Sequence, residues 1–149
     1  MENARWHILL GILFLACNFI PWFKYDPPDL YPSSPILISP NQFTSLHLAV
    51  WGLGTYFLCW GITRLIKLEE VTNFGIPFLY SAGIAIYTGI LIFSEKAFVD
   101  FYADQFNYRL WVRDYHETIS VFSGMWFLWL LSCVTALYSF NGIITKYRK

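Results

Sequence analysis

The sequence predicts an all-α integral membrane protein with four transmembrane helices. Both termini are expected to be cytoplasmic, and the second outer loop is expected to be partly an amphipathic, interfacial helix. Three observations carry this reading. Hydrophobic residues make up 56% of the 149 residues and charged residues only 13%, about half the ~25% charged share of an average soluble domain. Four apolar runs reach the length of about 18 residues or more that a membrane-crossing helix needs. Lysine and arginine crowd the short segments on one side of those runs.

The apolar cores are residues 6–23, 45–63, 73–94 and 119–140, and none contains Asp, Glu, Lys or Arg. Extended by their flanking signals, the spans become about 6–23, 40–66, 73–94 and 114–142 of a single four-helix domain. The first run begins five residues after Met1 without a small-residue cleavage site, so it is expected to be a retained signal anchor. Pro21 marks the exit from this helix or a kink near its end. The following loop, 24–44, holds five prolines. Such a loop is stiff and extended rather than a folded domain.

Helix 2 has a start signal in Ser39, Pro40 and Gln42: a capping serine, proline at the first helical position, and glutamine three after the cap. Loop 95–118 follows the third run. In it Phe98, Tyr102, Phe106 and Leu110 recur every four residues, as on one face of an interfacial helix. Asp114 and Glu117 have the spacing of a capping box for helix 4, and Asn141–Gly142 supplies a stop.

Orientation follows from positive charge. Arg5, Arg64, Lys67, Lys146, Arg148 and Lys149 sit on very short segments, so the side with the termini is expected to face the cytoplasm. Loops 24–44 and 95–118 then lie on the non-cytoplasmic side, with seven acids between them. The basic C-terminal stretch KYRK reads as a topology anchor; a specific lipid patch calls for a longer basic cluster. Trp6, Trp22, Trp111, Tyr25, Tyr31 and Tyr147 fall near span ends, where amphipathic rings favour the interface.

Helix contacts in lipid depend on small residues that let backbones approach. Ser81, Ala85 and Gly89 share one face of helix 3, and Gly54 and Gly61 lie seven apart on helix 2. These five are the expected packing positions. Cys17, Cys59 and Cys133 all lie in apolar stretches, which argues against a disulfide framework.

The chemistry-bearing residues are few. His47, early in helix 2, and His116, at the start of helix 4, both belong to the outer half. Imidazoles on facing helices can ligate a b-type haem, or hold a metal with Asp114 and Glu117. The everyday reading is a snorkelling or capping histidine. The absence of a charged residue inside the apolar cores argues against a proton-coupled transporter. A channel would have to draw on Asn18, Thr55 and Ser132. No P-loop, GxSxG, HExxH or CxxC spacing is present, and a net charge of zero gives no sign of a nucleic-acid partner.

The stretch WGLG, starting at Trp51, resembles part of the tryptophan–glycine–cysteine pattern of claudin-like tetraspan proteins. That pattern belongs to a folded outer loop with two cysteines. Here WGLG lies inside the second span and neither outer loop contains a cysteine, so no family and no residue role is assigned from it. The sequence therefore favours a small non-catalytic accessory or scaffold subunit, in contact with membrane lipid and other membrane subunits. The alternatives are a haem- or quinone-binding redox protein using His47 and His116, and a small transporter or channel.

Overall fold

The computed structural model describes residues 2–25, 36–38, 44–66, 73–94 and 119–148. Within them lie α1 (Glu2–Ala16), followed by a 3-10 turn (Cys17–Phe19), β1 (Phe23–Tyr25), β2 (Ile36–Ile38), α2 (Thr44–Leu65), α3 (Gly75–Phe93), β3 (Ile119–Val121) and α4 (Ser123–Tyr147). Three of these helices, α2, α3 and α4, are long and apolar enough to cross a membrane. The physical reason is the demand for internal hydrogen bonds. Where no water can satisfy the backbone, an apolar run closes its own ladder as a helix, even one carrying Gly52, Gly54 and Gly61 as α2 does.

The first run departs from the expected 6–23 span. Its α-helix stops at Ala16, because the residue before Pro21 is driven to extended geometry and Ile20 has ψ near 130°. Asn18 helps to end the helix: its side-chain N–H group donates to the carbonyls of Phe14 at 3.1 Å and Leu15 at 3.3 Å. The apolar helical stretch Ala4–Phe19 is thus shorter than the other three.

The helices form two antiparallel pairs, α1 with α2 and α3 with α4, which touch one another far less than each touches its own partner. In the first pair the chains approach through glycine. A Cβ on Gly11 would stand 2.8 Å from Leu58 N and 2.9 Å from Gly54 O, and one on Gly61 would stand 2.9 Å from Ile8 N. Phe14, Val50, Leu53 and Phe57 are buried in the same core. In the second pair Gly89 lies against the Trp129 indole, and Phe93 meets both Trp126 and Trp129 edge to face. Three buried hydroxyls are satisfied within their own helices. Ser81 donates to Pro77 O at 2.6 Å, Thr88 to Ile84 O at 2.7 Å and Thr135 to Leu131 O at 2.7 Å.

At the end opposite the termini, the bundle is closed by a three-stranded antiparallel sheet of order β2–β1–β3. Phe23 pairs with Ile38 on one side and Val121 on the other. The pairing runs on past β3, with Phe122 N–H donating to Trp22 O at 2.8 Å and Gly124 N–H to Pro21 O at 3.1 Å. A Cβ on Gly124 would collide with that same carbonyl, so only glycine permits this approach. Trp22 and Phe23 are fully buried beneath the strands, and the Trp22 indole N–H donates to Cys17 O at 3.0 Å.

The described parts of loop 24–44, Lys24–Tyr25 and Ile36–Ile38, are extended and pair as antiparallel strands. The sheet corrects one expectation. Helix 4 does not begin at Asp114, because Ile119–Val121 is a strand and the helix starts at Ser123 with no side-chain cap on Phe122. Ile119 and Val121 are β-branched and find a free edge on β1, which satisfies their backbone as well as a helix would. Trp22, expected at a lipid interface, is instead fully buried, whereas Trp6 is exposed. The Ser39–Pro40–Gln42 cap, the Phe98–Leu110 stripe and the Asp114–Glu117 box lie outside the described residues.

Candidate functional site

His47 occupies the first turns of α2 near the sheet end, and its Nε2 accepts the indole N–H of Trp51 at 2.8 Å. The lone pair that would meet a haem iron or a metal through this nitrogen is engaged by a neighbour one turn on. His116 lies outside the described residues. Among the described residues, no group of three or more His, Cys, Asp or Glu side chains is placed to hold a metal ion. The polar residues named for a channel differ in burial. Asn18 and Ser132 are buried, while Thr55 is exposed on the outside of α2.

The five packing residues fall into two groups. Gly54 and Gly61 face α1, where Gly11, Leu15, Ile8 and Ala4 approach them. Gly89 faces α4 through Trp129, and Ser81 is fully buried, while Ala85 is only half-buried. Gly11, the counterpart of Gly54 across the seam, was not among the expected positions. Its signal was present as the single glycine of the first apolar run.

The terminal end holds a constellation that the sequence did not single out. His7 of α1 is fully buried. Its ring is 4.0 Å from that of Trp60, 5.9 Å from Phe57, 5.8 Å from Tyr138 and 6.3 Å from Phe74. Three helices and the residue preceding the fourth therefore meet around one imidazole: α1 supplies His7, α2 Phe57 and Trp60, the residue preceding α3 Phe74, and α4 Tyr138. On the α2 side the Arg64 guanidinium lies over the Trp60 ring, 5.4 Å from its centre. Cation–π stacking of this kind is strongest on tryptophan. One imidazole at the head of an apolar run has no periodic or spacing signature that would mark this cluster. Its neighbours come from positions about 50 to 131 residues away.

Between the aromatic box and the sheet, the two helix pairs separate on the α2–α3 side. An open-sided cleft of about 410 Å³ runs between Ser45 and Ala49 of α2 and Gly83 and Tyr87 of α3. It continues past Tyr80 into a second space of about 210 Å³ beside Gly52 and Tyr56. Gly52 and Gly83 differ from the seam glycines: among the described residues, a Cβ on either meets nothing within 4 Å. Packing among the described residues thus does not need them to be small.

Taken together, these features define a small helical-bundle protein, with three helices long and apolar enough for a membrane, closed by aromatic packing at one end and a sheet at the other. No protein-family model, no curated protein and no solved structure matches the chain.

Proposed function

We propose that the chain is a small, non-catalytic accessory subunit of a larger membrane protein complex, with the α2–α3 cleft as a contact for a neighbouring transmembrane helix. The observation that carries the reading is the pair Gly52 and Gly83. Small residues in membrane helices usually serve close helix approach, and packing among the described residues gives these two no such role. Ser45 and Ala49 continue the small side of the same cleft along α2. In this reading the termini are cytoplasmic, since Arg5, Arg64, Lys146 and Arg148 gather at their end.

The test is native mass spectrometry after extraction in mild detergent. The wild-type chain should carry partner subunits. Gly52→Leu and Gly83→Leu should shed them while keeping the unfolding midpoint of the wild type, because each leucine enters open space and surface changes of this kind usually cost within about 0.5 kcal/mol. An isolated monomer or homo-oligomer with an activity of its own would overturn the reading. Partner retention by the double variant would remove the cleft from it.

A further inference from the structure

At the terminal end, two buried hydrogen-bond donors face no acceptor. Arg64 Nε and Trp60 Nε1 are both closed off from solvent, and neither has a hydrogen-bond partner among the described residues. Both groups can only donate. What is missing is therefore an acceptor, not a base or a metal. The two donors belong to one small region, because the Arg64 guanidinium lies over the Trp60 ring at 5.4 Å. A guanidinium keeps its charge at all ordinary pH values, so the acceptor that completes the region is an anion. Buried polar groups are satisfied in the great majority of native proteins, and an absent ion or water is one explanation for an exception.

Position narrows the anion further. Arg64 is the penultimate residue of α2, and the membrane-crossing segment of that helix ends at Leu65. With α2 read as a membrane span, the guanidinium lies at the end of that span, where headgroups are met. Its residue is only half-buried, so the Nε that is now covered is reached by moving one long side chain. Trp60, by contrast, is held by His7 at 4.0 Å and Phe74 at 5.0 Å, which fixes the direction of its indole. Arg5 and Arg148 are exposed at the same end and add positive charge around it. Basic pockets between transmembrane helices are the usual receptors for anionic headgroups.

We propose that Arg64 and Trp60 form a binding site for a phosphate oxyanion, supplied by an anionic lipid headgroup, at the end of the bundle that carries the termini. One phosphate oxygen accepts from Trp60 Nε1 and another from the Arg64 fork, the bidentate geometry for which arginine suits phosphate better than lysine. This proposal is independent of the subunit reading, since it uses neither the cleft nor a protein partner.

The experiment uses the full chain in detergent, titrated with phosphatidylglycerol, with phosphatidylcholine and with inorganic phosphate. Bound adducts are read by native mass spectrometry and the unfolding midpoint by thermal scanning. Phosphatidylglycerol is expected to persist as an adduct and raise the midpoint, and phosphatidylcholine to do neither. A matching shift with inorganic phosphate would keep the site and assign it to the free ion. Arg64→Lys keeps the positive charge that a plain topology anchor needs, yet removes Nε; Trp60→Phe keeps the ring and removes the N–H. Each should weaken phosphatidylglycerol binding roughly tenfold or more, the usual scale for a hydrogen bond to a charged group. Equal binding of the two lipids would overturn the proposal, as would undiminished phosphatidylglycerol binding in Arg64→Lys. A drop in midpoint in a Glu69→Gln/Glu70→Gln variant, with no lipid preference in the wild type, would give the donors to the chain's own carboxylates and overturn it too.

Discussion

Replacing Gly61 with leucine is expected to cost about 3 kcal/mol of stability, the upper end of what overpacking a filled interior costs. The size follows from what the new side chain would strike. A Cβ at this position already stands 2.9 Å from Ile8 N and 3.1 Å from Ala4 O, both backbone atoms of α1. A flexible side chain can move aside, but the backbone of a helix cannot yield locally, so α1 must move as a body. In doing so it loses the burial of Phe14 and Leu10 against α2 and draws His7 away from Trp60. The effect is measured as a lowered unfolding midpoint in detergent, with near-ultraviolet dichroism reporting the loss of aromatic packing. Gly83→Leu is the internal control, the same exchange in a neighbouring apolar helix with nothing within 4 Å of the Cβ. Equal stability of the two variants would sink the seam as described.

Trp22→Ala should be comparably damaging, at about 3–5 kcal/mol for a fully buried tryptophan. Trp22 is at 0% exposure, and its indole N–H donates to Cys17 O while its own carbonyl accepts from Phe122 N. Alanine keeps the backbone bond but leaves a large void under the strands. Trp22→Phe separates the two contributions, since most apolar volume stays and only the indole hydrogen bond goes, for roughly 1 kcal/mol. Amide hydrogen exchange at Phe122 and Gly124 should quicken in Trp22→Ala and change little in Trp22→Phe. A Trp22→Ala chain with wild-type exchange there would mean that the tryptophan does not support the sheet.

The long helices were legible because hydropathy is a sum over many residues, and α2, α3 and α4 each give about 20 votes for one environment. The sheet was not legible because each strand is three residues long. Ile119 and Val121 open an apolar run that continues into α4, so nothing in the local pattern separates strand from helix. Only the distant edge of β1 decides. The shortened α1 shows the same limit. Pro21 announced an exit, but that Asn18 would end the helix at its own i−4 carbonyl is a side-chain choice that no run-length sees. At the candidate site, small residues flagged α2 and α3 as packing helices, yet only three dimensions divide seam glycines such as Gly61 from the open Gly52. The His7 box is further still from the sequence, since its members share no spacing.

The pairing of β1 with β3 also sets an order of assembly. Phe23 finds Val121 only after the long stretch of chain between them has been made. At roughly 5–20 residues per second, that leaves several seconds of synthesis between the two strands. During this interval α1 and α2 can already associate through their glycine seam, whereas one edge of β1 still waits for its partner. An exposed strand edge invites pairing with any other chain that offers one. The newly made N-terminal half is therefore the stage at which this protein is most open to mispairing with a second nascent copy, and arrival of residues 119–121 is the event that closes that window.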